Sequence, residues 1–377
     1  MPVPVRFDVP QFRANLLLAL MVMTLSGGCG SDDPAGPTGG NGGSTAVYDL
    51  YVDAATGSDS NDGAKQTPFK TITHAMTVAS AGDSVKVLPG TYDAALGESF
   101  PIHITDSVAL IGDEPNRGNG ASQTVIRGHG PTSSSYTAAI VSGQSSLVAG
   151  FMIRADIDTT RRFGVFGDSV DFKLTNNSFD STYGGVHLQG TGNVVVKGNL
   201  FSTTPYGIHS FCRGFATIQD NEFPGGSLPI DIHTMSEGDA LVRGNRISAG
   251  KQVAIQIQNG SPLIDSNTIS GSYDSVYGAL LFQFISSSKV RDNHFDIGNG
   301  ACVSVAGTTT PDLGTATDPG GNVFTGASGI AIQHTGSDTV MAIGNTWHST
   351  TPVCGADIVA DSGGVVIWGS DPAERCP

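Results

Sequence analysis

Lys197 to Ser210 reads KGNLFSTTPYGIHS. Asn199 is followed two positions later by the apolar Phe201, and the pair recurs along the chain. The matches are Asn177 with Phe179, Asn199 with Phe201, Asn221 with Phe223, Asn245 with Ile247, Asn267 with Ile269, Asn293 with Phe295, Asn322 with Phe324 and Asn345 with Trp347. The intervals are 22, 22, 24 and 22 residues, then 26, 29 and 23. A repeat of this length is one supersecondary unit that buries its apolar side only by stacking on its neighbours. Leucine-rich repeats share the period, but their leucine scaffold is missing. The spacing therefore predicts an all-β fold: a single right-handed parallel β-helix with coils of about 22 residues and a short N-terminal capping helix. Successive coils stack at about 4.8 Å, so equivalent residues form ladders. An Asn at a turn between sheets can bond the Asn above and below it and nearby carbonyls, which satisfies a buried amide. The apolar residue two places on should point inward. The residues two places before, Thr175, Lys197, Gln219, Arg243, Asp265 and Arg291, should point outward.

The first half has the same character with looser signals. SVKVLPGTY, SVALIGD, TVIRG, AAIVSG and SLVAGFMI are short β-rich runs between Gly or polar turns. Ahead of them, Tyr51 to Tyr92 contains GSDSNDG, then PFKTI leading into an Ala-rich helix, then AGDSVKV and PGTY. This segment, about a tenth of the chain, resembles the opening of many secreted bacterial β-helix proteins, in particular the domain of unknown function 1565 (DUF1565) family. The rest resembles the generic pectate-lyase-like repeat. Ile72, Ala75, Met76 and Ala79 fall at helical spacing and Gly82 should end the helix. A helix there would cover the open end of the first coil. The expected order is cap and first strands over 47–92, β-helix over 93–368 and tail over 369–377.

The N-terminus reads as a targeting segment. Arg6 and Arg13 precede LLLALMVMTL, Leu16 to Leu25, which is short for a membrane span. LSGGC follows, and this resembles a bacterial lipoprotein signal over 1–28 with Cys29 as the lipidated residue, although Leu25 lies one place further from the cysteine than usual. GSDDPAGPTGGNGGS then supplies a flexible tether within 29–46. Gly30 after the cysteine resembles an outer-membrane sorting signal. The expectation is an outer-membrane-anchored lipoprotein, periplasmic or on the cell surface, held to the membrane through lipidated Cys29. On that route the remaining cysteines meet an oxidising compartment. Of the three pairings open to four cysteines, Cys354 with Cys376 is preferred because it would staple the tail. Cys212 and Cys302 sit in apolar strand patterns, as buried thiols do.

Charged residues are 14% of the chain and the formal net charge is −15. A basic footprint for nucleic acid is absent, and an acidic polymer would be repelled unless cations bridged it. Asp59, Asn61 and Asp62 in DSNDG hint at a calcium loop, but Lys70 stands where the twelfth-position acid belongs. An Asx turn explains the same residues. No other cofactor is called for, and a monomer is expected.

Counting ten residues past each Asn gives His187, His209 and Asp231; the next coil gives Gln256 after eleven. Their apolar neighbours point inward, so these should point outward and stack on one face. Two places on lies a second outward column: Gln189, Phe211, His233, Gln258 and Gln283. The histidines and Asp231 have metal-ligand chemistry, but one-coil spacing is long for a shared ion and no metal is assigned to them. His209 with Asp231 has the composition of an acid–base pair. The glutamines and Phe211 suit a neutral glycan. An ordinary solvated strand face would show the same alternation. Other candidates are weaker in pattern. GHG around His129 resembles a polygalacturonase motif, yet its companion motifs are missing, and Arg161 and Arg162 near Asp156 and Asp158 have no fixed direction. Lys197, Arg243 and Arg291 share a column without a clustered Asp triad, and no carboxylate pair for glycoside hydrolysis can be picked out. The reading is a non-catalytic surface or adhesion module that binds carbohydrate, using Gln189, Phe211, Gln256, Gln258 and Gln283. The alternative is a polysaccharide lyase or glycoside hydrolase acting through His187, His209, Asp231 and His233.

Overall fold

One coil of the molecule consists of Val194–Lys197, Leu200–Phe201 and Tyr206–Cys212, one strand in each of three sheets. The next repeats it with Ala216–Gln219, Glu222–Phe223 and Leu228–His233, each parallel to its counterpart. The computed structural model describes residues 49–155, 161–202, 204–233, 240–248, 251–326, 329–371 and 373–377. Cys29, the signal segment, the tether, Asp156 and Asp158 lie outside them. Among the described residues two sheets have ten strands, one has twelve and a fourth at the C-terminal end has three, in a right-handed parallel β-helix of about eleven turns. The coil averages roughly 25 residues rather than 22. The difference comes from both ends: register partners stand 34 and 38 residues apart in early coils, and later ladder steps lengthen to 26 and 29.

The asparagines form a continuous ladder at the turn between the two ten-stranded sheets. Asn199 Oδ1 accepts from the backbone N–H of Asn177 at 2.9 Å and from its Nδ2 at 3.1 Å. Asn199 Nδ2 in turn donates to Asn221 Oδ1 and to the carbonyls of Leu174 and Lys197. The pattern continues through Asn221, Asn245, Asn267, Asn293 and Asn322 to Asn345. These amides are buried down to 0% exposure, so the mutual bonds offset a desolvation that would otherwise cost roughly 1–3 kcal/mol per group. Inside the turn, Phe179, Phe201 and Phe223 stack at 4.7 and 4.6 Å with planes 4° apart. The stack needs space on the opposite strand, and glycines provide it. A Cβ on Gly185 would lie 2.3 Å from the Phe201 ring, and one on Gly207 would lie 2.5 Å from Phe223.

Of the column expected outward before each Asn, Lys197 and Arg243 are exposed but Asp265 and Arg291 are buried. Arg243 pairs with Asp265, and Arg291 bonds Asp312 at 2.7 Å and Asp318 at 2.8 Å. The inserted segment of the longest step folds over this column and supplies those two carboxylates.

The helix Ile72–Val78 lays Ile72, Ala75 and Met76 against the first coils. Thr71 caps it by accepting from the His74 N–H, and Glu98 accepts from the N–H groups of Ile72 and Thr73. It ends earlier than Gly82. Ala79 already turns extended, with ψ 140°, while Gly82 occupies the following turn at φ 96°. At the other end the tail strand Arg375–Cys376 pairs antiparallel with Val365–Ile367, and a disulfide joins Cys354 to Cys376. Both ends of the solenoid thereby gain a cover against edge pairing. Cys212 and Cys302 are buried thiols.

Candidate functional site

The twelve-stranded sheet carries the site on its outer face. Register places Phe166, His187, His209, Asp231 and Gln256 in one column across five successive coils. The alternate positions, such as Val186 with Leu188 and Ile230 with Ile232, are fully buried in the core. Strand alternation therefore sends the histidines and Asp231 to the opposite face. The second column runs Asp168, Gln189, Phe211, and then His233, Gln258 and Gln283.

The column is not a uniformly open row. His187 is only 1% exposed. Gly130–Pro131 pairs antiparallel with Thr137–Val141, and the connecting turn brings Tyr136 over His187 with ring centroids 4.2 Å apart. Phe163, Phe166 and Phe211 complete the enclosure at 5.0, 5.6 and 5.8 Å. Arg161 lies over the outer side of Tyr136, 5.9 Å from its ring centre. Burial, and secondarily the neighbouring His209, pulls the His187 pKa down to about 4, so the ring is neutral at neutral pH.

From His187 a polar chain leads outward. His187 Nδ1 faces His209 Nδ1 at 3.2 Å. His209 Nε2 lies 3.3 Å from Asp231 Oδ2, and His233 Nε2 lies 2.8 Å from the same oxygen. Burial lowers the His209 pKa, opposed by the Asp231 charge and assisted by His233. Phe211 holds both rings, edge-on to His209 and stacked on His233, each at 4.5 Å. Asp231 is buried, and its Oδ1 has no hydrogen-bond partner among the described residues. One ligand atom from each of His209, Asp231 and His233 falls within 4.8 Å of the others, so these three could hold a metal ion.

Next to this cluster the face opens into a groove. Gln252, Val253, Gln256, Tyr277, Leu281 and Gln283 line a depression of about 340 Å³. It continues past Tyr277, Leu281 and Gln283 into a smaller one of about 160 Å³ that reaches Ser304 and Gln333. No charged side chain lines either part among the described residues. Gln256 Nε2 donates to Gln283 Oε1 at 3.0 Å. Tyr277 is 44% exposed and Val276 67%.

The DUF1565 family model, described as a protein of unknown function, matches residues 55–353. The chain belongs to the DUF1565 family. No curated protein matches it. Among solved structures, the native GH136 lacto-N-biosidase from Eubacterium ramulus is similar at TM-score 0.53 and 12% identity, covering 85% of this chain and 68% of that one. DFA-IIIase from Arthrobacter chlorophenolicus A6, in complex with DFA-III, is similar at TM-score 0.49 and 14% identity, covering 79% and 88%. At 12% identity the likeness to the lacto-N-biosidase shows a shared fold alone.

The remaining candidates sit elsewhere. Asp59 accepts from the Lys70 and Thr71 N–H groups and the Thr71 hydroxyl, Asp62 accepts from Ala64 N–H and Thr67, and Asn61 donates to the Pro68 carbonyl. Their polar atoms tie the turn to the helix start. Lys197 pairs with Asp220, and Arg243 and Arg291 are paired as above, so that column holds no free base. His129 is half-buried at the start of the hairpin that carries Tyr136. Tyr136, Phe163, Tyr277 and Leu281 were missed from sequence. Phe166 was within reach, because GVFGD aligns with GVHLQ one coil later. Tyr136 and Tyr277 come from irregular connections that no ladder count reaches.

Proposed function

We propose that this protein is a non-catalytic glycan-recognition module of the cell envelope, anchored through lipidated Cys29 and binding a neutral oligosaccharide along the outer face of its twelve-stranded sheet. The observation that carries the reading is the groove beside Gln256 and Gln283. Amide side chains match sugar hydroxyls as donors and acceptors at once, the exposed Tyr277 ring offers the apolar surface that a pyranose face covers, and the lining is without charge. A chain of net charge −15 and an uncharged groove both favour neutral over acidic glycans.

The alternative, an enzyme cleaving glycan, is supported by the contact of His209 with Asp231 next to the groove. Its weakness is the carboxylates. Asp168 and Asp231 share the face but stand three coils apart, about 14 Å at the coil spacing. Paired glycosidase carboxylates work at roughly 5–9.5 Å.

Glycan-array binding by the full chain tests the proposal. Retention of neutral oligosaccharides, lost in Tyr277→Ala and in Gln256→Ala/Gln283→Ala, with no reducing or unsaturated sugar released, is the expected result. Release of product that disappears in His209→Ala would replace it with the enzymatic reading. Radiolabelled palmitate entering wild type but not Cys29→Ala tests the anchor.

A further inference from the structure

We infer that His209, Asp231 and His233 form a binding site for one divalent first-row transition metal of the zinc or cobalt class, with His187 positioning His209. This site would exist whatever occupies the neighbouring groove.

The donor set comes first. Two imidazoles and one carboxylate are borderline ligands suited to these ions, not to calcium, which takes six to eight oxygens. Sequence spacing alone put the ligands one coil apart, but the strands supply a tighter arrangement. Asp231 and His233 lie two residues apart on Leu228–His233 and therefore on the same face, while His209 is the register partner of Asp231 in the preceding coil. The three donor atoms lie within 4.8 Å of one another, and His209 Nε2 is 3.3 Å from Asp231 Oδ2. Ligands bound tetrahedrally at about 2.0–2.1 Å are separated by about 3.3 Å, so the pocket nearly has the dimensions of the coordination sphere.

The second observation is Asp231 itself. Its side chain is 8% exposed, Oδ2 is shared by both histidines, and buried Oδ1 has no partner among the described residues. A buried carboxylate oxygen without a donor is costly. A cation between the two imidazoles and this carboxylate supplies the missing charge.

The third is orientation. A histidine ligand needs the proton on its other nitrogen, directed at an acceptor. His209 offers Nε2 to the cluster, and its Nδ1 faces His187 Nδ1 at 3.2 Å. His187 is enclosed by Tyr136 and Phe166, which fix its ring. With its own proton on Nε2, His187 accepts from His209 Nδ1–H, and the His209 Nε2 lone pair is left for the metal. Metal binding requires the Nε2 lone pairs of His209 and His233 to be free of a proton. His209 and His233 keep 22% of their side-chain surface exposed, so water or a ligand can reach a fourth position.

The test uses the full chain without a polyhistidine tag, titrated with Co²⁺. One equivalent should bind and develop the visible absorption of a tetrahedral centre. Zinc should displace it. His209→Ala and His233→Ala should each weaken binding at least about 100-fold, and His187→Phe by roughly 10–100-fold. His294→Ala, an exposed histidine on another sheet, should change nothing. X-ray absorption of the zinc-loaded wild type, which needs no variant to fold, should show nitrogen and oxygen neighbours with imidazole scattering. Absence of saturable binding, a sulfur neighbour, or unchanged binding in the His209→Ala/His233→Ala double variant would each overturn the inference.

Discussion

His187 and Tyr136 are in ring contact at 4.2 Å, though they belong to coils two rungs apart, because a hairpin turn reaches across the face. This contact seals His187 while His209, the next rung of its column, and His233, in the neighbouring column, stay partly accessible. It predicts a reactivity order. Diethylpyrocarbonate acylates exposed, neutral imidazole nitrogens, so His209 and His233 should react and His187 should be protected. Tyr136→Ala should raise the His187 rate at least ten-fold, read by peptide mass spectrometry. Equal rates for all three histidines in the wild type would mean that the hairpin does not close over the column.

The Asn ladder predicts a positional gradient of stability. Removing Asn199 leaves the Asn177 N–H without its acceptor, takes the Oδ1 partner from Asn177 Nδ2, and removes one donor from each of the Leu174 and Lys197 carbonyls in the turn. Asn199→Ala should cost about 2–5 kcal/mol, since each buried group left without a partner costs roughly 1–3. Asn345 ends the run and is partly exposed, so Asn345→Ala should cost about 1 kcal/mol or less by the same reasoning. Urea midpoints of the two variants, compared at one pH, check the order.

How much of this was legible beforehand depended on what each residue answers to. Asn199, Phe201, His209 and Asp231 answer to the coil period, and a period can be counted. The columns Gln256 to Gln258 and Gln283 followed from the same count. Asp265 and Arg291 look identical to Lys197 in the pattern, yet Asp265 is buried and paired with Arg243, and Arg291 is buried against Asp312 and Asp318 of the inserted segment. Tyr136 and Tyr277 belong to connections whose path is set by tertiary contacts. Local alternation states which face a side chain takes, and it is silent on what then covers that face. This is why His187 was expected in the open and lies sealed.

Gly185 predicts a rescue. A Cβ there would stand 2.3 Å from the Phe201 ring, well inside contact distance. Gly185→Ala should destabilise by about 1–3 kcal/mol through overpacking. Phe201→Leu alone should also destabilise, by opening space in the ring stack. Together they should cost less than the sum, with a coupling of at least about 0.5 kcal/mol in a double-mutant cycle. Strict additivity would place the cost of the alanine in the backbone instead.

Glu98 gives the cap a pH dependence. Burial raises its pKa above the ordinary carboxylate range, opposed by the bonds from Thr73 and Ile72. Between the unfolded pKa and this raised value, the folded state holds a proton that the unfolded chain has released. Stability from this group is therefore complete below the unfolded pKa and falls as pH rises through the folded one, at up to about 1.4 kcal/mol per pH unit. Glu98→Gln should remove that part of the slope above about pH 4.3, where an ordinary Glu begins to ionise. Urea midpoints of the wild type and Glu98→Gln, measured across the acid range, should converge or cross toward neutral pH. Parallel curves would show that Glu98 does not titrate differently on folding.

The tail supplies the last prediction. Cys354 and Cys376 close a loop of sequence separation 22, and Cys376 sits in the short strand that pairs with Val365–Ile367 at the end of the solenoid. Only two residues form that strand, so its own ladder cannot hold it against fraying. Closing a loop of this size stabilises by about 3 kcal/mol in the chain-entropy account. Reduction, or Cys354→Ser, should free Arg375–Cys376 and expose the edge at Val365–Ile367. Amide exchange at Val366 and Ile367 should then accelerate by about 100-fold or more, while exchange in Val194–Lys197, far along the stack, stays unchanged. The contrast follows from the one-dimensional coupling of stacked repeats, in which a lost end frays inward and leaves distant coils intact. Uniform acceleration along the chain would instead mean that the disulfide supports the whole solenoid as one cooperative unit.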